Sequence, residues 1–389
     1  MSDWKKVKLG DCCEIINGST PSRIVPEYWN GTIDWFTPKD LSNIESKYIS
    51  HAPERISEKG YKSCSTTMLP PKSLLFTSRA PIGHLAINRY PACTNQGFKA
   101  LIPFEKVDVE FLYYVIKKNT LRLQDLGNGA TFKELSKATI SDFEISLPPL
   151  SIQQKIAAIL DTADRLRQKD KAIVEKYNEL TQALFLDMFG DPISNPKGWK
   201  KVKMETIMKI VRGGSPRPIE NYLGGKYPWI KIGDATKGDD IYLTSTREHI
   251  TKDGLSKTRL LPKGSLIFAN CGVSLGFARI LTFEGCIHDG WLAFSEYDEK
   301  KLNKIFLLKA LNTITKYFRD TAPDGTQPNL NIAIMKNFDL IVPPIKIQEK
   351  FEKSLNVIVK QKSFAEACLL RSEELFNSLL QKAFNGELK

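Results

Sequence analysis

The chain contains an internal duplication, and this feature limits its possible folds more than any other. Residues 4–8 (WKKVK) return as residues 199–203, 195 positions later, and matched residues continue to the end at offsets of 192–195. The small changes in offset fall between matched blocks, as insertions and deletions in surface loops do. The chain is therefore predicted to fold as two copies of one unit. Matched pairs include Gly18 and Gly213, Pro21 and Pro216, Trp35 and Trp229, Cys93 and Cys286, Gly97 and Gly290, and Phe189 and Phe384.

The first part of each repeat has the pattern of a mixed α/β domain. Short β-like runs such as residues 33–37 and 73–77 are separated by Gly and Pro, and one amphipathic helical stretch covers residues 109–126. The second repeat has the same order of features, with its helical stretch at residues 302–318. We predict one such domain at residues 1–150 and a second at residues 191–345.

The second part of each repeat has the pattern of one long helix. Residues 151–189 contain neither Pro nor Gly, and apolar residues recur at alternating spacings of four and three, which is typical of a coiled-coil seam. Ser151 and Gln154 suggest a capping box at the start, and Gly190 marks the end. We predict spacer helices within residues 151–190 and 346–389. The predicted seam consists of Ile152, Ile156, Ile159, Leu166, Ile173, Leu180 and Leu184 in the first helix, and Ile347, Phe351, Ile358, Leu375 and Leu379 in the second.

Two such helices make a measuring device. At 1.5 Å per residue, residues 151–189 would form a rod of roughly 58 Å, against about 34 Å for one turn of B-DNA. The expected fold class is α+β: two mixed α/β domains joined by two long antiparallel helices, as a pseudo-two-fold tandem repeat. Such a caliper would hold the two domains at its opposite ends.

Charge and cysteine content narrow the function classes. The formal net charge is +12, which favours a polyanionic partner. The seven cysteines include no C-x-x-C pair, and the four histidines have no zinc-ligand spacing, so we expect neither disulfides nor a metal. No apolar run is long enough to span a membrane and no signal peptide is recognisable, so a cytoplasmic location is expected.

The order domain–helix–domain–helix resembles the specificity subunit of type I restriction–modification systems. The resemblance covers the whole chain and includes two Pro-Pro openings before the long helices. The motifs that contribute to it are Leu147-Pro148-Pro149-Leu150, Val342-Pro343-Pro344-Ile345, Gly190-Asp191-Pro192, Gly325-Thr326-Gln327-Pro328-Asn329 and residues 383–388.

The resemblance implies that each α/β unit is a target recognition domain reading one half of a bipartite double-stranded DNA site. It also implies that two methyltransferase (modification) subunits dock on the long helices and bind S-adenosylmethionine. Restriction subunits would supply ATP- and Mg²⁺-dependent translocation and cleavage. The chain itself would be a non-catalytic subunit without a cofactor.

Polar loops between the matched blocks are the candidate DNA contacts. Ser and Thr hydroxyls suit phosphates, arginine suits guanine, and asparagine or glutamine suits adenine. Ordinary turns remain an alternative for each of them. The candidates are Ser19, Thr20, Arg23, Lys39, Ser78, Arg79, Thr131 and Lys133 in the first domain, and Ser215, Arg217, Lys231, Asn270, Thr326, Gln327 and Asn329 in the second.

Two other functions remain possible from the sequence. One is a non-enzymatic coiled-coil adaptor whose α/β units bind peptide or carbohydrate. The other is a metal-dependent nuclease using Asp34, Glu45 and Lys47, which superficially resemble a D…E-x-K set. The second repeat does not preserve these residues, so the nuclease hypothesis is the weaker one.

Overall fold

The structure is a computed structural model that describes residues 4–42, 44, 46–79, 81–129, 133–321 and 329–388, except for the side chain of residue 273. The first-repeat strands are β1 (Lys5–Lys8), β2 (Cys13–Asn17), β3 (Trp29–Phe36), β4 (Tyr48–Ile49), β5 (Arg55–Ile56), β6 (Leu74–Phe76), β7 (Leu85–Asn88), β8 (Cys93–Thr94), β9 (Lys99–Pro103) and β10 (Glu144–Leu147). The helices are α1 (Leu9–Cys12), α2 (Pro38–Ser42), α3 (Glu58–Lys62), α4 (Val109–Lys118), α5 (Thr120–Asp125), α6 (Lys137–Ser141) and α7 (Leu150–Phe189).

The second repeat has a similar succession of elements, with one additional strand and with 3-10 turns in place of α1, α2 and α3 of the first repeat. Its strands are β11 (Lys201–Lys203), β12 (Lys209–Arg212), β13 (Leu223–Ile230), β14 (Tyr242–Leu243), β15 (Glu248–Ile250), β16 (Arg259–Leu261), β17 (Leu266–Ala269), β18 (Ala278–Leu281), β19 (Gly285–Ile287), β20 (Trp291–Ser295) and β21 (Asp339–Ile341). Its helices are α8 (Lys304–Thr313), α9 (Thr315–Thr321), α10 (Ile332–Asn337) and α11 (Ile345–Phe384). Short 3-10 turns complete both repeats.

The sheets confirm the duplication strand by strand. The main sheet has the order β2-β9-β6-β7-β4 in the first repeat and β12-β20-β17-β18-β14 in the second. A smaller sheet has the order β5-β3-β8, which returns as β15-β13-β19 with β16 added at the edge. Both sheets mix parallel and antiparallel pairs in the same places. The predicted mixed α/β domains are therefore present twice.

The predicted amphipathic stretches form a pair of helices in each repeat rather than one. Asp108 caps the first of them by accepting hydrogen bonds from the backbone N–H groups of Glu110 and Phe111, at 3.0 and 2.8 Å. Asn303 caps the equivalent helix α8 in the same way. These caps satisfy N–H groups that have no partner within the helix.

The long helices begin directly after the Pro-Pro pairs. Each has 40 residues, and α7 begins one residue before the predicted capping residue. Ser151 is therefore inside the helix, and the predicted capping box is wrong. The carbonyl of Pro149 instead accepts from the N–H groups of Ile152 and Gln153, because a residue before a helix can supply the first acceptor. Gly190 ends α7 with a positive φ of 76°, as predicted.

The chain divides into two compact units, Met1–Lys171 with Ala367–Lys389, and Ala172–Glu366. In the first unit the start of α7 packs with the end of α11 against α4, in a core that includes Ile156, Leu160 and Phe376. In the second unit the end of α7 packs with the start of α11 against α8, around Phe185 and Phe351. The two long helices are thus antiparallel in both units. The predicted separation into domains at residues 1–150 and 191–345 and helices at residues 151–190 and 346–389 stays a prediction.

Several predicted seam residues are not buried. Ile156 and Phe351 lie in the cores, and Ile152, Leu184, Ile347, Ile358 and Leu379 are half-buried. Ile159, Leu166, Ile173, Leu180 and Leu375 are exposed, so within the described residues this chain does not cover the whole predicted seam. The physical reason is that the helices also pack on the domains, so Leu160 and Ala163, which belong to the same buried cluster as residues of α4, take the buried positions. Among the described residues, none of the helices combines the length and the apolar character that crossing a membrane requires.

Candidate nucleic-acid interface

In each domain a central segment lies between two of the predicted contact loops. We define it as residues 94–97 in the first domain and 287–290 in the second. On one side it binds the proline loop, residues 18–25 or 213–218, where the backbone N–H of Ser19 donates to Thr94 O at 2.9 Å. On the other side it binds the strand-end segment, residues 77–79 or 269–271, where Ser78 N–H donates to Gly97 O at 2.8 Å. The fold thus brings the two predicted loops to one place.

The second domain repeats these backbone contacts at the equivalent residues. Gly214 N–H donates to Ile287 O at 3.0 Å, and Asn270 N–H donates to Gly290 O at 2.9 Å. The contacts therefore belong to the shared framework of the two repeats rather than to either domain alone.

Two matched glycines allow the proline loop to approach the central segment. A Cβ atom on Gly18 would lie 2.0 Å from Asn95 O, and one on Gly213 would lie 2.3 Å from His288 O. Both distances are far inside van der Waals contact, so glycine is the residue that fits at these two positions. This explains the Gly18–Gly213 match in the duplicated sequence.

The side chains on the central segment differ between the domains although their bonds are equivalent. The Thr20 hydroxyl contacts the side-chain oxygen of Gln96, while the Ser215 hydroxyl donates to Asp289 Oδ1 at 2.8 Å. Asn95 Oδ1 accepts from the N–H of the matched glycine in the first domain, and His288 Nδ1 does so in the second. The two domains therefore display different chemical groups on one framework.

Burial controls the charge of His288. It lowers the pKa of this histidine, and the nearby Lys231, Arg217 and Arg212 lower it further against the opposing effect of Asp289. His288 Nδ1 lies 2.9 Å from the Gly290 N–H, which donates to it, and 2.9 Å from Asp289 Oδ1. The central segment of the second domain thus places the Asp289 side chain beside an imidazole whose charged form is disfavoured by burial.

Arg23 anchors the proline loop of the first domain. Its guanidinium forms a two-point ion pair with the Glu54 carboxylate, one of the two contacts being 3.0 Å, and lies 3.8 Å from the Trp29 ring centroid. Trp29 Nε1 donates to Ser22 O at 3.1 Å. A DNA contact by Arg23, as predicted, would require its release from Glu54.

The proline loop of the second domain is held differently. Arg217 is 80% exposed, with Asp289 Oδ2 at 3.7 Å, and the matched glutamate, Glu248, pairs with Lys231 at 2.8 Å. Trp35 Nε1 donates to Ser19 O at 2.9 Å, whereas Trp229 Nε1 is buried without a partner among the described residues. Ser215, Arg217, Trp229, Lys231 and His288 line one open cavity of about 380 Å³.

Ser78 and Asn270 are buried, and we withdraw both from the predicted DNA surface. The Ser78 hydroxyl donates to Gly97 O at 3.2 Å. Asn270 Nδ2 donates to Asn329 Oδ1 at 3.0 Å and to Leu330 O at 3.2 Å. The two residues are equivalent in the two repeats. In both, the side chain points inward and connects the strand-end segment to neighbouring backbone.

Arg79 remains at the surface of the first domain. Its backbone pairs with Glu134, its guanidinium lies 3.7 Å from that carboxylate, and its side chain is 38% exposed. Lys99, nearly buried, lies 3.6 Å from the other oxygen of Glu134. The equivalent of Arg79 in the second domain is Cys271, which pairs with Asn329. The two domains thus present an arginine and a thiol at this position.

The other predicted contacts have mixed outcomes. Lys39 and Lys133 are exposed, and Lys133 Nζ donates to Gln124 O at 3.4 Å. Asn329 is half-buried beside Asn270. Thr131, Thr326 and Gln327 lie outside the described residues, as does Glu45 of the nuclease hypothesis. DNA contact by the surface residues stays a prediction.

The sequence reasoning missed the central segment and the two matched glutamates. A usable signal was present, since the matched pairs Cys93–Cys286 and Gly97–Gly290 enclose three positions that differ between the repeats. Those positions are polar except for Ile287, and they lie between two conserved framework points of the duplication. Glu54 and Glu248 gave no such signal, because their partners are distant in the sequence.

The two described residues of the nuclease hypothesis, Asp34 and Lys47, take part in separate ion pairs. Asp34 is buried and accepts from Ala52 N–H at 3.2 Å and Arg55 Nε at 2.9 Å. Lys47 binds Glu110 and Asp161. Burial alone would raise the pKa of Glu110, but hydrogen bonds from Lys47 and Tyr48 lower it to about 2. Among the described residues, no group of three or more His, Cys, Asp and Glu side chains could hold a metal ion.

Exposed apolar residues form a groove on the long helices of the first unit. The groove has a volume of about 740 Å³ and contains the predicted seam residues Ile159, Leu166, Leu375 and Leu379. Arg165 and Lys169 also line it. The surface is therefore apolar with a basic rim.

Comparison with known proteins places this architecture. The sequence matches the family described as type I restriction modification DNA specificity domain over residues 1–176 and 196–365. The type I restriction enzyme MjaIX specificity subunit of Methanocaldococcus jannaschii is 33% identical, over 100% of this chain and 94% of that protein. The EcoR124I/EcoR124II specificity subunit of Escherichia coli is 32% identical over 42% of this chain and 41% of its own length.

Two solved structures share the fold. A chain from a study of complex assembly and conformational transition of the type I R-M system has a TM-score of 0.65 at 18% identity, covering 99% of this chain and 98% of that chain. The type I restriction–modification S subunit from M. genitalium has a TM-score of 0.58 at 15% identity, with 98% and 96% coverage. At these identities the likeness concerns the fold.

Proposed function

The chain belongs to the family of type I restriction–modification DNA specificity subunits, and we propose that it reads an asymmetric bipartite DNA site. It is a non-catalytic subunit that confers DNA specificity on a restriction–modification system. The observation that supports two different half-sites is the duplicated framework with different side chains. Gln96 and Arg79 in the first domain stand where Asp289 and Cys271 stand in the second. Different donors and acceptors favour different base edges.

The net charge supports DNA as the ligand of both domains. A charge of +12 attracts phosphates without regard to sequence, and exposed side chains such as Lys39, Lys133 and Arg217 are suitably placed for this. Selective contacts would then come from the groups around the central segment. The adaptor hypothesis does not explain why two related domains carry a DNA-specificity signature.

We propose that the methyltransferase subunits dock on the long helices. The groove with Ile159, Leu166, Leu375 and Leu379 offers apolar area that the described part of this chain leaves uncovered. Continuous exposed apolar surface is typical of a protein interface. S-adenosylmethionine would be held by the methyltransferase subunits, and ATP and Mg²⁺ by restriction subunits. Action on cellular DNA would place the complex in the cytoplasm.

Mapping of modified bases tests the proposed function. The chain would be co-expressed with a type I methyltransferase subunit with which it co-purifies, and modified adenines in the host DNA would be located by sequencing. We expect one recognition sequence of two dissimilar parts separated by an unread spacer. An uninterrupted or symmetric sequence would contradict the proposal, as would modification that does not depend on this chain.

Arg79 is expected to read a base in the first half-site. Its 3.7 Å ion pair with Glu134 is weak at a surface, so the guanidinium can exchange that partner for a guanine edge. Arg79→Ala should cost roughly 1–3 kcal/mol of discrimination at one base pair, measured by competition binding with single-base variants of the target.

Lys8→Ala is the charge-matched control for Arg79→Ala. Lys8 is exposed and lies on β1, before the start of β2. The proline loop, which contacts the same central segment as the strand-end segment with Arg79, follows the other end of β2. This control should weaken binding slightly and equally on all sequences. The same uniform loss in Arg79→Ala would make Arg79 a phosphate contact instead.

A further inference from the structure

The proline loop of the first domain presents an isoleucine at its tip. Ile24 is 90% exposed, which is the highest value among the large apolar side chains of the described residues. The preceding Ser22 and Arg23 are exposed as well, whereas the following Val25 is half-buried and Pro21 is buried. A fully hydrated isoleucine gains free energy when an apolar partner covers it.

The loop around Ile24 is held in place on both sides. The Arg23 guanidinium is fixed by Glu54 and by the Trp29 ring, and Ser22 O accepts from Trp29 Nε1. On the other side Tyr28 N–H donates to Val25 O at 3.2 Å. The side chain is thus presented by a pre-organised loop, and pre-organisation reduces the entropy lost on binding.

The repeat shows that the loop tip is not part of the shared framework. Between the matched proline and tyrosine the first repeat has one more residue (Pro21 to Tyr28) than the second (Pro216 to Tyr222), and the second carries the 80% exposed Arg217 in this region. The glutamate that holds Arg23 has its equivalent in Glu248, which binds Lys231 instead. One domain therefore presents an aliphatic group and the other a cation from equivalent loops.

We propose that Ile24 is a specificity-determining residue that contacts the 5-methyl group of a thymine in the first half-site. The inference rests on the proposed DNA-reading function and deepens it. The thymine methyl is the apolar group that base edges offer in the major groove. A loop that contacted phosphates would instead be expected to present a cation that no carboxylate of the protein neutralises. Arg23 cannot serve as that cation while Glu54 neutralises it.

Replacement of thymine by deoxyuridine tests the contact, because it removes only the methyl group. The full chain would be titrated with duplexes of the mapped target in which each thymine in turn is replaced. Wild-type protein should bind one such duplex roughly three- to tenfold more weakly. Ile24→Ala should show that loss on the thymine duplex already and no further loss on the deoxyuridine duplex.

Phe104→Ala is the matched control, because Phe104 is also a large exposed apolar residue. It follows Pro103, which pairs with Cys13 at the start of β2, whereas the proline loop follows the end of β2. It should respond to deoxyuridine as wild type does. The proposal is overturned if Ile24→Ala retains the full wild-type response, if it binds as tightly as wild type, or if neither half-site contains thymine. Absence of any sequence-selective binding by wild type would refute the proposed function itself.

Discussion

Replacing Gln153 with methionine is expected to destabilise the first domain by roughly 2–5 kcal/mol, because one buried amide joins three backbone groups. Gln153 is fully buried at the start of α7. Its Oε1 accepts from Asp108 N–H at 2.9 Å, and its Nε2 donates to Lys106 O at 3.0 Å and to Pro148 O at 2.8 Å. Methionine keeps the length of the side chain but leaves these three groups without their partner.

The adjacent Gln154 is the control, since it has the same side chain on the exposed face of the same helix. Gln154→Met should change the free energy of unfolding by less than about 0.5 kcal/mol. Both variants would be compared by urea unfolding, with transitions of the two domains analysed separately. Equal stability of Gln153→Met and Gln154→Met would show that the amide is not a structural connection between helix and domain.

The second repeat contains the same connection. Gln348 accepts from Asn303 N–H at 2.9 Å and donates to Lys301 O at 3.0 Å and Pro343 O at 2.6 Å. Gln348→Met is therefore expected to affect the second domain as Gln153→Met affects the first. Because both connections join a domain to the start of a long helix, they set the direction in which that helix leaves the domain.

The start of the long helix was predictable from the sequence, but the hydrogen bonds that Gln153 makes there were not. Gln153 and Gln348 follow the two Pro-Pro pairs at the same distance, and α7 begins one residue before the predicted capping residue Ser151. The capping-box interpretation instead gave the important role to Gln154, because local spacing was the available information. Apart from Pro148, the partners of Gln153 lie 45 and 47 residues away along the chain. Residue spacing within the helix could therefore not reveal them.

The apolar periodicity of the long helices was similarly informative and incomplete. It correctly indicated uninterrupted helices, but an apolar stripe does not specify what covers it. Ile156 is covered by the domain core, while Ile159 and Leu166 remain exposed in the groove. The exposed positions keep their predicted role as a docking surface, which depends on a second chain.

The sequence indicated which loops are candidates for the DNA surface, but not which of their polar side chains are exposed. The unmatched polar positions between matched blocks include the two proline loops, and DNA contact by these loops stays a prediction. The burial of Ser78 and Asn270 and the pairing of Arg23 with Glu54 follow from contacts between distant segments. Such contacts decide whether a polar side chain points to solvent or into the domain, and a residue's type does not.

Lengthening both long helices is expected to change the spacing of the DNA site without changing the bases that are read. Each helix is continuous over 40 residues and contributes to both compact units. Insertion of seven residues near the middle of each helix adds about 10 Å and nearly preserves the faces of the helix, because seven residues are close to two turns. Ten ångströms correspond to about three base pairs of B-DNA.

The lengthened protein should lose binding to the original target by about 100-fold or more, since it can engage one half-site at a time. Binding should return on a target whose unread spacer is about three base pairs longer, as measured by competition among duplexes with a series of spacer lengths. Replacement of seven exposed residues by alanine at the same positions, without insertion, is the matched control and should leave the preferred spacer unchanged.

The result that decides the caliper hypothesis is which part of the recognition sequence responds. If the two half-sites stay the same and the spacer alone grows, the helices set the distance and the domains set the sequence. Retained preference for the original spacer would show that the helices do not measure the DNA. Altered half-sites would show that the loops around Gly18 and Gly213 depend on the helices for their conformation, which the backbone contacts within each domain argue against.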